Sequence, residues 1–207
     1  MGLTAGHHIA PATPTRWREI SAALAEAFHA DPVFSWLIPN PTARSAALRR
    51  FFEIETRHVV LPYRIAATAI GGVDTLGAAL VLPPGHWRTP LRVQARHAHT
   101  FLAVFKRRLP VALGVLTALE RRHPRAPHYY LPYIGVRPDA QDRGVGTALL
   151  APLLGRCDRE DVPAYLEASS PENARLYRRL GFSCIEIVRP LGAPPIELMI
   201  RHPVGRS

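Results

Sequence analysis

The sequence predicts an α/β fold with strands of mixed direction, and three observations carry that reading. Apolar residues recur at helical spacing in the first third, as at Ile20, Ala23, Leu24, Ala27 and Phe28. The second half alternates short β-like runs with capped helical segments. The 207 residues are 47% hydrophobic and 20% charged, which suits one domain with an ordinary buried core.

Taken in order, "HHIAPATP" reads as a short first strand and a turn, and residues 17–28 as a helix. Pro32 opens a short helix with Asp31 as its N-cap. Residues 42–60 form an amphipathic helix. "YRIAATAI" and "TLGAALVLPP" flank "GGVD", which predicts a hairpin. Pro90 to His123 reads as two helices broken near Pro110. Residues 128–136, "HYYLPYIGV", are a strand in which Pro132 implies an edge, a bulge or a splayed end. A glycine loop and a helix follow, with Pro152 and Gly155 interrupting that helix and predicting a kink. Residues 163–169 are a strand. "SPENARLYRRLGF" is a helix with Ser170 as N-cap, Pro171 at the first position and Gly181 at the C-cap. "FSCIEIVRP" and "PIELMIR" are two last strands.

No apolar run reaches the ~18 residues that span a bilayer. The longest, 109–119, follows Lys106, Arg107 and Arg108. The opening "MGLTAGHHIAPATP" lacks the basic start and apolar stretch of a signal peptide, so a cytoplasmic protein without a membrane partner is expected. Cys157 and Cys184 stand outside any CxxC or ligand cluster and read as buried free thiols, and no metal is expected. The net charge of +10 favours anionic partners. It is almost all arginine, Lys106 being the only lysine, and it is scattered, densest in "FKRRL" and "ERRHPR". A basic nucleic-acid-binding protein is therefore one reading. Against it, no helix-turn-helix or RNA-binding signature is present, so nucleic acid is not the expected partner.

The stretch "QDRGVGTALL" (141–150) couples a strand to a helix through a glycine-rich turn. Such a turn leaves backbone N–H groups free at a helix start, where the dipole favours an anion. Without a ligand it is simply a tight left-handed turn. A Walker A loop is excluded, because no lysine separates Gly146 from Thr147. The dinucleotide fingerprint G-x-G-x-x-G/A would put its third small residue on Leu149, although Glu167 lies where the ribose-binding acid would. A dinucleotide-binding oxidoreductase is a second alternative. The pattern Q/R-x-x-G-x-G/A fits Gln141, Gly144 and Gly146 in full.

With that pattern the chain resembles the GNAT superfamily of acetyl-CoA-dependent N-acetyltransferases. "YIGVRPDAQDRGVGTALL" is similar to the family's strand–loop–helix unit, and "YLEASSPENARLYRRLGF" to its next strand and helix, with Asn173, Tyr177, Gly181 and Phe182 in the typical places. The resemblance runs from about residue 128 to the end, and more loosely before it. The resemblance implies a GNAT-like mixed, mostly antiparallel central sheet flanked by helices, with a helical insertion around 90–123. It implies a single domain over 1–207 whose cofactor-binding core is about 128–183. It implies acetyl-CoA as cosubstrate, an amine as acceptor and no metal, and a homodimer is compatible with it.

The resemblance also distributes roles. Gln141, Asp142, Arg143, Gly144, Val145, Gly146 and Thr147 would hold the pyrophosphate, although Asp142 stands where many relatives carry glycine and sets a negative charge there. Ile134, Gly135 and Val136 would run beside the pantetheine arm. Asn173 and Tyr177, four apart, share a helix face, and Tyr177 would protonate the departing thiolate. Glu167 would accept the amine proton. Asp31, Phe34 and Trp36 would wall the acceptor pocket, with His29 and Trp87 nearby. Each has a plainer reading. Tyr177 packs in a core with Phe182 folded back on Leu176, Asn173 bonds its local backbone, Glu167 is a solvated strand end, Asp31 is a cap, and the aromatics are core. His97 and His99 read as exposed helix histidines.

Overall fold

The computed structural model describes residues 6–205. Residues 1–5, part of the opening stretch considered above for a leader, lie outside the described residues, as do 206–207. One seven-stranded sheet runs through the fold. Its strands are β1 (His8–Pro11), β2 (Ala67–Gly71), β3 (Asp74–Leu82), β4 (Tyr129–Val136), β5 (Ala164–Ala168), β6 (Ser183–Val188) and β7 (Ile196–Arg201). Their spatial order is β1-β2-β3-β4-β5-β7-β6. Every neighbouring pair is antiparallel except β4 and β5.

The helices are α1 (Trp17–Ala27), α2 (Pro32–Leu37), α3 (Pro41–Ile54), α4 (Leu91–Phe105), α5 (Leu109–Glu120), α6 (Val145–Glu160) and α7 (Pro171–Arg179). One face of the sheet packs on α1–α4 through Ile20, Leu24, Leu48, Phe52, Leu80 and Leu82. The other packs on α6 and α7 through Leu149, Leu150, Leu153, Leu166 and Met199. Because β3 is covered on both faces it reads as a near-continuous apolar run. A smaller cluster, with Val115, Tyr165, Val188 and Leu198, seats α5 on the β5–β7–β6 end. The helical insertion is present as α4 and α5.

Several details differ from the sequence reading. The helix expected over 42–60 is α-helical only to Ile54; Glu55–Val60 widen into a π-turn. Such widening inserts a residue into the helical ladder and is frequent at functional sites. The break between α4 and α5 falls at Lys106, which takes φ +48°, and Pro110 sits inside the first turn of α5, where a missing N–H costs nothing. Pro152 does not interrupt α6, which is helical from Val145 to Glu160, anchored by buried Leu149, Leu150, Leu153 and Cys157. Cys157 is buried as expected, but Cys184 is exposed, because β6 is the sheet's outer strand. Pro132 lies in an interior strand, where a proline is tolerated at a bulge. Leu80 pairs with Tyr133 but Leu82 with Tyr130, so β4 carries one residue more than β3 across that step.

Candidate active site

The bulge breaks the alternation of β4. Tyr130 and Tyr133 are three apart yet both pack on the α1–α3 face, while Tyr129, Leu131, Ile134 and Val136 pack on the α6 face. The bulge also coincides with a fork in the sheet. The parallel pairing of β4 with β5 covers only Tyr129 with Ala164 and Tyr130 with Tyr165. Beyond that point the two strands diverge, and β4 has a ladder on its β3 side alone. The Arg137 N–H donates to the Leu76 carbonyl at 2.8 Å. By the alternation of an antiparallel ladder, Gly135 and Tyr133 then also turn their backbone groups to β3, and Ile134 and Val136 turn theirs into the fork. The Val136 carbonyl is taken there by the Gln141 side-chain amide at 3.0 Å. Gly135 has a packing reason of its own: a Cβ there would lie 2.7 Å from Ala27 Cβ of α1.

The mouth of the fork is the glycine loop. Asp142 takes φ +59° and Gly144 φ +75°, and Gly144 caps α6 with no side-chain bond. Among the described residues the N–H groups of 142–147 have no protein acceptor; the first bond of α6 runs from Ala148 to the Gly144 carbonyl. A Cβ on Gly144 would meet nothing within 4 Å. Val145 is buried, but the other five residues are exposed or half-buried, so their free donors stand accessible at the positive end of a sixteen-residue helix. Asp142, Arg143 and Thr147 are exposed at its rim.

Tyr177 closes the α7 side. Ser170 caps α7 by accepting from the Asn173 N–H at 3.2 Å, and Asn173 is half-buried one turn before Tyr177. The C-terminus closes with paired bonds, Phe182 N–H to the Tyr177 carbonyl and Gly181 N–H to the Arg178 carbonyl, with Gly181 at φ +89°. The Phe182 ring folds back on Tyr177 itself, centroids 5.9 Å apart. Burial and the nearby Asp31 carboxylate raise the Tyr177 phenol above the usual tyrosine range. Asp31 serves as the α2 cap, accepting from the Val33 and Phe34 N–H groups at 2.9 Å each. Its second oxygen accepts from the Ser169 hydroxyl, which ties α2 to the end of β5. Burial raises the Asp31 carboxyl, and these hydrogen bonds pull it back.

On the opposite wall the Glu167 carboxylate accepts from the Tyr130 hydroxyl at 2.8 Å and lies 3.7 Å from His123 Nδ1. Glu167 is thus enclosed between β4 and β5 rather than solvated at a strand end. Phe34 packs with Phe28, Phe51 and Phe52 in the aromatic core. Trp36 is half-buried, with the Arg108 guanidinium 4.9 Å from its ring centroid. Trp87 stacks on His123 at 4.0 Å. His29 is drawn off to the Pro41 carbonyl at 3.2 Å. His97 is half-buried rather than exposed, tilted against His58 with ring centroids 4.7 Å apart, whereas His99 is exposed as expected and meets Thr100.

Sequence reasoning passed over Tyr130, Tyr133, Glu55, His123, His128 and Ser169. The signal for two of them was present: "HPRAPH" sets two histidines five apart around a proline-bearing turn. Glu55 had none, since a buried carboxylate on a helix reads like any exposed one. Burial pushes it up to about 7, and burial together with the Glu55 and Glu167 carboxylates raises Tyr133.

Comparison with known proteins agrees with this geometry. The acetyltransferase (GNAT) family profile matches residues 79–182, half of the 207-residue chain. An uncharacterized N-acetyltransferase of Schizosaccharomyces pombe is 26% identical over 208 residues, covering 92% of this chain and 81% of that protein. A solved structure described as histone acetyltransferase HPA2 and related acetyltransferase, from Corynebacterium glutamicum, is 29% identical with a TM-score of 0.72, over 97% of this chain and 98% of that one. The Drosophila melanogaster polyamine N-acetyltransferase shares the fold, at 17% identity and a TM-score of 0.66, over 95% and 100% of the two chains.

Proposed function

Because the chain belongs to the GNAT acetyltransferase family, we propose that it moves an acetyl group from acetyl-CoA to the primary amine of a small molecule, by direct attack in a ternary complex. One observation carries the reading: the row of unpartnered N–H groups over 142–147 opens onto the fork between β4 and β5. The residues fit an acyl-CoA. The loop offers donors to a pyrophosphate, Ile134 and Val136 offer backbone groups to the amides of its arm, and Arg143 adds a charge at the rim. When bound, that group supplies the thioester to be attacked.

The rest is the work of this chain's side chains. Glu167, held by Tyr130, takes a proton from the acceptor so that a neutral amine can attack. Tyr177, whose proton is held tightly by burial, gives it up only as a thiolate forms beside it. Asn173 lies on the same helix face and orients the cofactor. Asp31, Phe34 and Trp36 wall the acceptor side, and Asp31 with Ser169 fixes α2 against β5. Fold neighbours that act on polyamines support a small amine as acceptor, and the enclosed aromatic wall supports one over a protein lysine. The reading takes the chain as one acetyltransferase domain.

A panel of amines supplied with acetyl-CoA and read by free-thiol release tests it. Saturable release with at least one small primary amine is expected. A thermal shift with NAD but none with coenzyme A would favour the dinucleotide-binding alternative instead.

A further inference from the structure

The base Glu167 does not stand alone. Behind it lies a buried chain of two histidines that the reaction above leaves unused. His123 follows α5 and His128 precedes β4, and both are buried. Their Nε2 atoms are 2.8 Å apart. His128 Nδ1 is 2.7 Å from the carbonyl of Ala126. Trp87 stacks on the His123 ring at 4.0 Å, and Tyr130 and Tyr165 meet it edge-on at 4.8 and 4.7 Å.

These contacts fix the protons. A carbonyl only accepts, so His128 carries its proton on Nδ1. In the neutral ring its Nε2 is then an acceptor, and the proton between the rings belongs to His123 Nε2. A neutral His123 therefore has a bare Nδ1, and that bare nitrogen is the atom 3.7 Å from Glu167 Oε1. Two bare acceptors hold apart at that distance; a proton on either draws them into a hydrogen bond.

We propose that His123 takes from Glu167 the proton that the acceptor amine gives up, and that His128 positions His123 in the one tautomer able to receive it. The inference rests on the proposed function. The balance is simple. An ammonium acceptor passes one proton to Glu167 and on to His123. The neutral nitrogen attacks, a C–N bond forms and the C–S bond breaks. The second N–H proton lost by nitrogen goes to the Tyr177 oxygen and replaces the one Tyr177 gives to sulfur. One proton per turnover remains; it is the one on His123, released to water as products leave. The charge formed on His123 is matched by the Glu167 carboxylate it faces. The other groups around the pair are the hydroxyls of Tyr130 and Tyr165; Tyr165 is buried, has no hydrogen-bond partner within strict geometry among the described residues, and has its phenol raised by burial and the nearby Glu167 carboxylate. Glu186 lies further out and is neutralised by Arg122 at 3.1 Å. Burial and the neighbouring His123 lower the pKa of His128, which favours its neutral, accepting form.

Two experiments decide this. Ring-nitrogen NMR on the unaltered chain reads the tautomers without substrate: Nε2–H with bare Nδ1 is expected at His123, and Nδ1–H at His128. The opposite tautomer at His123, or a doubly protonated His123 at pH 8, would overturn the proposal. In steady-state kinetics, His123→Gln and His128→Leu are expected to lower kcat about 10–100-fold at pH values where the amine is charged. The deficit should shrink as pH rises toward the amine's own pKa, and KM for acetyl-CoA should stay within a few-fold. His128→Gln, whose amide oxygen still accepts from His123 Nε2, should recover most of the loss. A deficit constant across pH, or an unchanged profile in His123→Gln, overturns the proposal. Should a variant fail to fold, the NMR reading still decides. Failure of the proposed function shows separately, as no thiol release by the unaltered chain with any amine.

Discussion

Tyr177 is where a single hydroxyl separates two roles. Its ring packs on Phe182 and its phenol sits near Asp31. Tyr177→Phe keeps the packing and removes the proton donor. A loss of about 10²–10⁴ in kcat, with kcat/KM falling in parallel and coenzyme A affinity within a few-fold, is expected if the hydroxyl serves the leaving thiolate. Near-normal single-turnover rates would leave Tyr177 as core. Glu55 gives a residue-level prediction of another kind. Its carboxyl is raised by burial from 4.5 to about 7, so between those values the native state keeps a proton that the unfolded chain has released. Stability therefore falls as pH rises through that window and levels off above it, by up to about 3 kcal/mol. Glu55→Gln should flatten the slope between pH 5 and 8 in urea denaturation; an unchanged slope would place the group in contact with water. Single residues were legible where their type restricts the backbone. Asp31, Ser170, Pro171 and Gly181 all cap as their chemistry dictates. Glu55, Tyr130 and His123 were not, because burial is a property of the fold and not of the letter.

At the scale of elements, the glycine loop was readable and the fork beside it was only half so. Gln141, Gly144 and Gly146 announced the turn, but the divergence of β4 from β5 depends on a register step that no local pattern encodes, Pro132 hinting only that regular pairing would fail. The two glycines are not equivalent. Gly144 stands at φ +75°, so Gly144→Val strains the loop and blocks approach to its N–H groups. At Gly146 a Cβ would lie 3.4 Å from Leu176, an ordinary contact, so Gly146→Ala should be tolerated. Calorimetry should show coenzyme A binding abolished in Gly144→Val and reduced only a few-fold in Gly146→Ala. Equal effects would remove the loop geometry as the reason. A second element-level contact joins α6 to β7: Asp158 holds the buried Arg201 guanidinium at 2.8 and 2.9 Å and also takes the Val204 N–H. Asp158→Asn leaves that charge without its carboxylate and should cost about 3 kcal/mol, the low end for buried pairs because Asp158 is 31% exposed. A change under ~0.5 kcal/mol would mean water serves Arg201 as well.

Across the whole molecule, composition spoke clearly about class and only loosely about partner. The α/β order, the insertion and the mostly antiparallel sheet could be read from periodicity, punctuation and the family likeness together. A net charge of +10 could not say which anion it serves. Among the described residues no helix is long and apolar enough to cross a membrane. Two of the anions that the charge could serve, nucleic acid and small polyanions, can be told apart by experiment. Geometry and field make different demands here. The N–H groups of 142–147 act at contact distance and are screened by salt much less, whereas the scattered arginines act through a summed field that salt screens over about 10 Å at 0.1 M and about 3 Å at 1 M. If the field serves a small polyanion bound in the fork, coenzyme A should associate several-fold more slowly at 0.5 M than at 0.02 M salt, while its dissociation rate hardly moves. Stopped-flow binding separates the two rates. If the charge does not serve nucleic acid, duplex DNA should bind only non-specifically, in the ~10⁻⁴–10⁻⁶ M range at physiological salt. Submicromolar duplex binding with a steep salt slope, beside weak coenzyme A binding, would transfer the charge's purpose to nucleic acid. A coenzyme A association rate independent of salt would instead show that the arginines are a compositional habit and that the backbone donors of the loop suffice.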